Sequence, residues 1–115
     1  MDDLKVLTKQ EAEAIVRAHL ERISKSDPRG VEVEIVSDAT IERPFGWVFF
    51  YNSVEFLRTG KLSSMLAGNA PIIINKQDGV LCDTGTAYPV EHYIKNYEEY
   101  GTPYPPTDLT HLDER

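Results

Sequence analysis

The tripeptide Asp83-Thr84-Gly85 is the feature of this sequence that most directly suggests chemistry. It matches the tripeptide of aspartic proteases, in which two such loops hold two carboxylates that share a proton. Only residues 86–115 follow it, and most of them are predicted to form a helix and a proline-rich tail, so the remaining strands of such an enzyme have no room. We therefore interpret Asp83 as the end of a strand and Thr84-Gly85 as a turn.

The histidines and the cysteine are the other candidates for catalysis or metal binding. His19, His92 and His111 lack the H-x-x-x-H spacing that sets two rings on one metal. His19 lies in the apolar stripe of a predicted helix and is interpreted as a packed, hydrogen-bonded side chain, and the other two as solvated. Cys82 lies in a predicted strand, where a small buried hydrophobe is the usual role, whereas a nucleophilic cysteine needs an exposed, cationic setting. The sequence thus predicts no enzyme, no metal site and no cofactor.

The charge balance excludes several classes of partner. Nineteen acidic side chains against twelve basic ones give a net charge of −7, and binding to a phosphate backbone needs clustered Lys and Arg. The longest apolar runs, residues 47–51 and 72–74, are far shorter than the ~20 residues that a membrane span requires. The N-terminus has neither a basic n-region nor an apolar h-region, and the single cysteine rules out an internal disulfide. We expect a cytoplasmic protein that binds neither nucleic acid nor a membrane.

Two amphipathic helices are predicted at the two ends of a set of strands. Thr8-Lys9-Gln10-Glu11 has the pattern of a capping box, and apolar residues then recur at the spacing of one helical face as far as Ile23. Residues 27–30 end this helix. Pro89 pre-sets the first turn of the second helix, and Gly101 closes it. The apolar stripe of the second helix has four members: Val90, Tyr93, Ile94 and Tyr97.

The strands are predicted from alternating and β-branched runs. Residues 31–36 alternate valine or isoleucine with glutamate, and residues 47–51 form an aromatic run. Residues 71–75 and 80–83 are joined through Asp78-Gly79, which has the chemistry of a hairpin turn. Residues 53–68 are predicted as a turn and a short helix. In the aromatic run, three side chains alternate on the face assigned to the core: Trp47, Phe49 and Tyr51.

The order of these elements predicts an α+β fold. An antiparallel sheet of about four strands buries one face under the N-terminal and the C-terminal amphipathic helix. Residues 1–101 form this single domain. Residues 102–115 are a proline-rich polar tail, extended or loosely ordered, that contributes little to the core. The strand order does not follow from the sequence.

Four motifs, taken in order, resemble a known family. They are residues 45–52 (FGWVFFYN), residues 66–74 (LAGNAPIII), the Asp78-Gly79 turn, and Thr84-Gly85-Thr86 ahead of Pro89. Over about residues 41–100, in this order, they resemble the immunity protein 35 family, also called YrhB-like. The resemblance implies a bacterial cytosolic protein that binds and silences a toxin delivered by neighbouring cells. YrhB-like members are also described as chaperone-like, and the matching motifs imply no catalytic residues.

Three functions follow as hypotheses. In the first, the chain is a bacterial immunity protein that neutralises a cognate polymorphic toxin by occlusion, with its acidic surface facing a basic toxin. In the second, it is a chaperone-like holdase, which would need exposed apolar surface, although the amphipathic stripes leave little of it unassigned. In the third, it is an aspartic-protease-like enzyme built around Asp83. A homo-oligomer is left open.

The partner-binding surface is expected on the outer face of the second helix and the adjoining tail. Because the inner face of that helix must pack on the sheet, the acidic side is the one that faces a partner. The expected centre is Glu91, Glu98 and Glu99, with Tyr104 as an aromatic anchor. The alternative patch is Glu32 and Glu34 on the first strand.

Overall fold

The computed structural model describes residues 6–66 and 70–104. Within these residues the helices are α1 (Lys9–Ser26), α2 (Val54–Thr59) and α3 (Val90–Tyr100). The strands are β1 (Val33–Ile35), β2 (Ile41–Arg43), β3 (Gly46–Phe49), β4 (Tyr51–Ser53), β5 (Ile72–Asn75) and β6 (Leu81–Asp83). The predicted α+β class, with an amphipathic helix before and after the strands, is confirmed.

The capping box at the start of α1 forms as predicted. The Thr8 hydroxyl accepts from the Glu11 amide at 3.1 Å, and Glu11 Oε1 accepts from the Thr8 amide at 2.9 Å. The helix ends where the Asp27 amide donates to the carbonyl oxygen of Ser24. Its buried face is formed by Ala12, Val16 and Leu20, but Ile23, assigned to the same stripe, is 41% exposed.

Four strands form an antiparallel sheet in the order β2-β3-β5-β6, and β1 and β4 form a separate antiparallel pair. In the centre, Trp47 of β3 lies opposite Ile74 of β5. The predicted hairpin is confirmed, because β5 and β6 pair antiparallel through the turn that contains Gly79. The strand predicted over residues 47–51 is divided at Phe50, whose carbonyl oxygen accepts from the Val36 amide at 2.8 Å. The chain thereby passes from the large sheet into the small one.

The two main helices cover opposite faces of the four-stranded sheet. On one side Trp47 and Phe49 pack with the buried face of α1, and on the other side Val48 and Ile73 pack with Ile94 of α3. The expectation of one buried face was therefore wrong. Successive strand residues point to opposite sides, and β3 and β5 carry apolar residues at successive positions, so both sides need cover.

Gly46 permits the close approach of β3 to β5. Its φ is +149°, and a Cβ at this position would collide with the carbonyl oxygen of Ile74. The carbonyl oxygen of the preceding residue, Phe45, accepts from the Lys76 amide at 2.8 Å. This hydrogen bond fixes the position of the Pro44-Phe45 turn, where the Phe45 ring contacts Tyr97 near the end of α3.

Two connecting segments differ in detail from their predictions. In residues 53–66 the helix comes first, because the Ser53 hydroxyl accepts from the Phe56 amide at 3.0 Å and begins α2. In the tail, Pro103 is buried and its carbonyl oxygen accepts from Asn96 Nδ2 at 3.2 Å. The described start of the tail thus packs on α3 instead of lying loose. Residues 67–69 and 105–115, which include His111, lie outside the described residues.

Candidate partner-binding surface

The tripeptide Asp83-Thr84-Gly85 lies where β6 leaves the sheet. The buried Thr84 hydroxyl donates to the carbonyl oxygens of Pro71 and Gly85, at 3.0 and 3.2 Å. A Cβ at Gly85 would lie 2.7 Å from the Tyr93 hydroxyl, so the tripeptide is also pressed against α3. The Asp83 side chain is 61% exposed. These contacts are those of a structural turn that fixes the end of β6.

His19 and His92 each differ in part from their predictions. His19 is packed, but its buried Nε2 has no hydrogen-bond partner among the described residues and lies 3.7 Å from Asp83 Oδ1. His92, expected to be solvated, is half-buried with its ring centroid 4.2 Å from that of Tyr88. Residues 6–66 and 70–104 contain no group of three or more His, Cys, Asp or Glu side chains arranged to hold a metal ion.

Cys82 is half-buried in the apolar layer under α3. Burial raises the pKa of its thiol above the ordinary value, and the nearby carboxylates of Asp78 and Asp83 raise it further. Both effects disfavour the thiolate, which is the reactive form of cysteine. The setting is therefore that of a packed thiol and is opposite to that of a nucleophile.

The acidic residues of α3 differ in what they contact. Glu91 lies in the first turn, where the helix dipole favours a negative charge. Glu98 and Glu99 lie at the other end, where the dipole disfavours it, and α3 has no basic residue in its last turn. Glu98 Oε2 lies 3.6 Å from Arg43 Nε of β2, with both side chains partly exposed. Glu91 and Glu99 are exposed.

Tyr104 packs between Tyr93 of α3 and the end of β6. Its hydroxyl donates to the backbone oxygen of Asp83 at 3.3 Å, and its ring lies edge-on to Tyr93 with centroids 6.0 Å apart. Burial is the largest cause of its raised pKa. Together with Tyr88 and His92 these rings form a cluster, called here the aromatic cluster: Tyr88, His92, Tyr93 and Tyr104. Tyr88 and Tyr104 are 56% and 53% exposed.

Comparison with known proteins identifies the family. The family model described as immunity protein 35 matches residues 10–98 of the 115-residue chain, from the first turn of α1 almost to the end of α3. The chain belongs to the immunity protein 35 family. The resemblance carried by its sequence motifs is thereby confirmed.

One curated relative agrees with this membership of the immunity protein 35 family. The chain is 49% identical over 53 residues to the uncharacterized protein YrhB of Escherichia coli strain K12. That match covers 46% of this chain and 56% of YrhB, so the chain spans little more than half of the relative's length. No solved structure gave a significant match. None of the helices within the described residues is long and apolar enough to cross a membrane.

The fold of this immunity protein 35 family member separates residues that the sequence analysis grouped together. Glu98 faces Arg43 on β2, whereas Tyr104 contacts Asp83 on β6. These strands are the two opposite edges of the four-stranded sheet. The predicted surface is therefore divided, with Glu98 beside β2 and Tyr104, as part of the aromatic cluster, beside β6.

The alternative patch on β1 lies against α1 of the immunity protein 35 fold. Glu34 Oε2 accepts from Arg17 Nε at 2.9 Å, so this carboxylate already has a cationic partner. Glu32 is exposed and lines an open pocket of about 420 Å³ between α1 and β1. The β1 patch therefore lies apart from the acids of α3, and part of its charge is neutralised within the chain.

Sequence reasoning missed three contributors to the surface of this immunity protein 35 family member. Arg43 and Phe45 lie beside the end of α3, which depends on strand order and is not written in local spacing. Tyr88 had a local signal, because it stands four residues before His92, a separation that brings side chains together along a helix and its first turn. That spacing predicts a ring contact at the start of α3.

Proposed function

We propose that this protein binds a bacterial toxin protein in the cytoplasm and neutralises it by covering the surface through which the toxin acts. The observation that carries the proposal is membership of the immunity protein 35 family over residues 10–98. Inhibition by occlusion needs a stable scaffold and a complementary surface, and it needs no nucleophile, metal or cofactor. The structural roles of Cys82 and Thr84 fit a protein that acts by binding, without catalysis.

The charge of the chain favours a basic partner. The net charge is −7, and Glu91, Glu98 and Glu99 are exposed on α3. Two of these acids stand at the helix end where the macrodipole disfavours them, so they lower the stability of the helix rather than raise it. A function in binding explains why acids stand there. The proposed partner is a basic toxin, such as a nuclease with a positive substrate groove, which exposed acids would steer into contact.

The aromatic cluster supplies the second part of the proposed interface. Tyrosine is enriched among the residues that contribute most to protein–protein binding, because it combines a large apolar ring with a polar end. Tyr88 and Tyr104 are half-exposed, and each rests on the buried Tyr93, so neither ring must be ordered when the partner binds. Preorganisation of this kind reduces the entropic cost of association.

The test begins with tagged protein purified from its source organism. We expect one stoichiometric basic protein, encoded near the gene for this chain. That protein is then expressed in a neutral host, alone and together with this chain, and growth is measured. The proposal is supported if the captured protein slows growth when it is expressed alone and if co-expression of this chain restores growth. A captured partner that is harmless, or whose toxicity this chain leaves unchanged, contradicts it.

A second candidate function, binding of unfolded proteins, is favoured by one specific observation. The segment that follows β4 exposes three large apolar side chains, contrary to the expectation of little unassigned apolar surface: Leu57 at 40%, Leu62 at 75% and Met65 at 45%. If this segment holds unfolded chains, the double variant Leu62→Ser/Met65→Ser should lose the ability to suppress heat aggregation of citrate synthase. Equal suppression by the variant and the wild-type protein, or none by either, contradicts this function.

A further inference from the structure

A pocket beside the C-terminal end of α3 combines an aromatic floor with a negative rim. It is open, has a volume of about 440 Å³, and lies between the Pro44-Phe45 turn and the last turn of the helix. Its lining is given by six residues: Pro44, Phe45, Asn75, Tyr97, Glu98 and Gly101. It will be called the α3 end pocket.

The floor of the α3 end pocket is rigid. The rings of Phe45 and Tyr97 lie with their centroids 4.6 Å apart, at an interplanar angle of 51°. The Tyr97 hydroxyl accepts from Asn75 Nδ2 at 3.2 Å, and the carbonyl oxygen of Phe45 accepts a hydrogen bond from the Lys76 amide. Tyr97 is 6% exposed and belongs to the core, whereas Phe45 is half-buried. Phe45, held in place against the buried Tyr97, therefore offers a preformed aromatic surface, of the kind that attracts cations through the electron-rich face of a ring.

The rim of the α3 end pocket has two sources of negative charge, and Arg43 offsets part of the charge of one of them. The Glu98 carboxylate lines it, and the helix ends there at Gly101, so the negative end of the macrodipole points toward it. Arg43 Nε lies 3.6 Å from Glu98 Oε2, which exceeds the 2.7–2.9 Å usual for a charge-assisted hydrogen bond. The carboxylate, which is 43% exposed, therefore keeps capacity to accept hydrogen bonds from a second guanidinium group.

We propose that the α3 end pocket receives an arginine side chain of the protein partner, with its guanidinium plane against Phe45 and its N–H groups donating to Glu98. This inference rests on the proposed function for the source of the arginine. Arginine fits better than lysine because its planar group can stack on a ring and donate in a fork to one carboxylate.

The test uses a probe that needs no toxin. N-acetyl-arginine amide is titrated into the isotope-labelled protein, and the backbone amide signals are followed by NMR. We expect shifts confined to the amides of Phe45, Asn75, Tyr97, Glu98 and Gly101. N-acetyl-citrulline amide, which has the same shape without the charge, should leave these signals in place. N-acetyl-lysine amide should bind at least about threefold more weakly than the arginine compound.

Two variants separate the rim from the floor. Glu98→Gln should weaken arginine binding about fivefold or more, and Phe45→Leu should do the same by removing one ring. The matched control is Glu21→Gln, since Glu21 is an exposed helical acid in an ion pair with Lys25 at 3.8 Å, on the other face of the sheet. The control should bind the probe as the wild-type protein does. The melting temperature of each variant verifies folding, and Glu98→Gln keeps the test decisive if Phe45→Leu does not fold.

The results that would overturn the inference are specific. Scattered shifts, equal binding of the citrulline compound, equal binding of the lysine compound, or undiminished binding by Glu98→Gln would each exclude an arginine pocket. Failure of the proposed function is seen separately, as lack of protection against the captured toxin. Protection that survives both Glu98→Gln and Phe45→Leu in full would refute the pocket while leaving the proposed function intact.

Discussion

The hydroxyl and the backbone amide of Thr84 both donate to the carbonyl oxygen of Pro71, each at 3.0 Å. This pair joins the residue after β6 to the residue before β5, and it fixes the open end of the hairpin. Thr84 is 4% exposed. The middle residue of the protease-like tripeptide therefore has a structural role.

Replacement of Thr84 by valine should destabilise the fold. The change removes a buried hydroxyl while keeping the shape of the side chain, and we expect a loss of about 1–2 kcal/mol in the free energy of unfolding. Urea denaturation measures it. The control is Asp83→Asn, which alters an exposed carboxylate and should change stability by less than about 0.5 kcal/mol. Unchanged stability of Thr84→Val would contradict this structural role, and a peptidase activity that Asp83→Asn abolishes would instead support the aspartic-protease-like hypothesis.

Replacement of Trp47 by alanine should lower the free energy of unfolding more than Thr84→Val does. Trp47 is 4% exposed and packs between the centre of the sheet and α1, so the expected loss is about 3–5 kcal/mol. Trp47→Phe should cost less, because the indole Nε1 has no hydrogen-bond partner among the described residues and none is lost. Thermal or chemical denaturation of the two variants verifies this order. A wild-type melting curve for Trp47→Ala would contradict its assignment to the core.

Cys82 should react slowly with alkylating reagents. Its raised pKa keeps the thiol protonated in a pH range where an ordinary cysteine is partly thiolate, and half-burial restricts access. The rate with iodoacetamide at pH 8 should be about tenfold or more below that of the same protein in denaturant, and it should rise as pH increases. Mass spectrometry measures the rate. A native protein that reacts faster than the unfolded chain would indicate an activated cysteine.

Reversal of the acids at the end of α3 should slow association with the toxin. In Glu98→Lys/Glu99→Lys the rate constant for association should fall, and its dependence on salt should weaken, because exposed charges act mainly through steering. Folding should change by less than about 1 kcal/mol, since the loss of an exposed ion pair with Arg43 is opposed by a better match to the helix dipole. Surface plasmon resonance at two salt concentrations measures the effect.

A second double variant controls for net charge. Glu21→Lys/Glu55→Lys changes the charge of the protein by the same amount, at exposed acids that pair with Lys25 and Lys61 at 3.8 and 4.0 Å. Both positions lie outside α3. If this control slows association as much as the α3 variant does, the acidic end of α3 has no special part in binding. If neither variant has an effect, the interface lies elsewhere, and the aromatic cluster is the next surface to test.

The elements with strong local signals were predicted correctly. The capping box at Thr8, the turn at Asp78-Gly79 and the glycine that ends α3 at Gly101 each act through contacts within a few residues. Such contacts are encoded in spacing that a sequence displays directly. The family followed from four motifs in order along the chain, of which the Asp78-Gly79 turn is one.

The arrangement of the layers was predicted only in part. Uninterrupted apolar runs in β3 and β5 were interpreted as strands, but their lack of alternation also meant that both faces of the sheet would be covered. The start of the tail was expected to be loose, because its prolines do not reveal that Pro103 would accept a hydrogen bond from Asn96. The cover on both faces of the sheet and the packing of Pro103 on α3 each depend on contacts with residues of another element.

Local sequence patterns specify the fold class, the ends of the two long helices, the hairpin and the acidic character of α3. Packing across the sheet places Glu98 beside Arg43 and Phe45 at one sheet edge, and it places Tyr104 against Asp83 at the other edge. The physical reason is that helical periodicity specifies which side of α3 is buried, but the neighbours of its two ends depend on the strand order β2-β3-β5-β6. Strand order arises from contacts between residues far apart in the chain, which local patterns of charge and hydropathy do not encode.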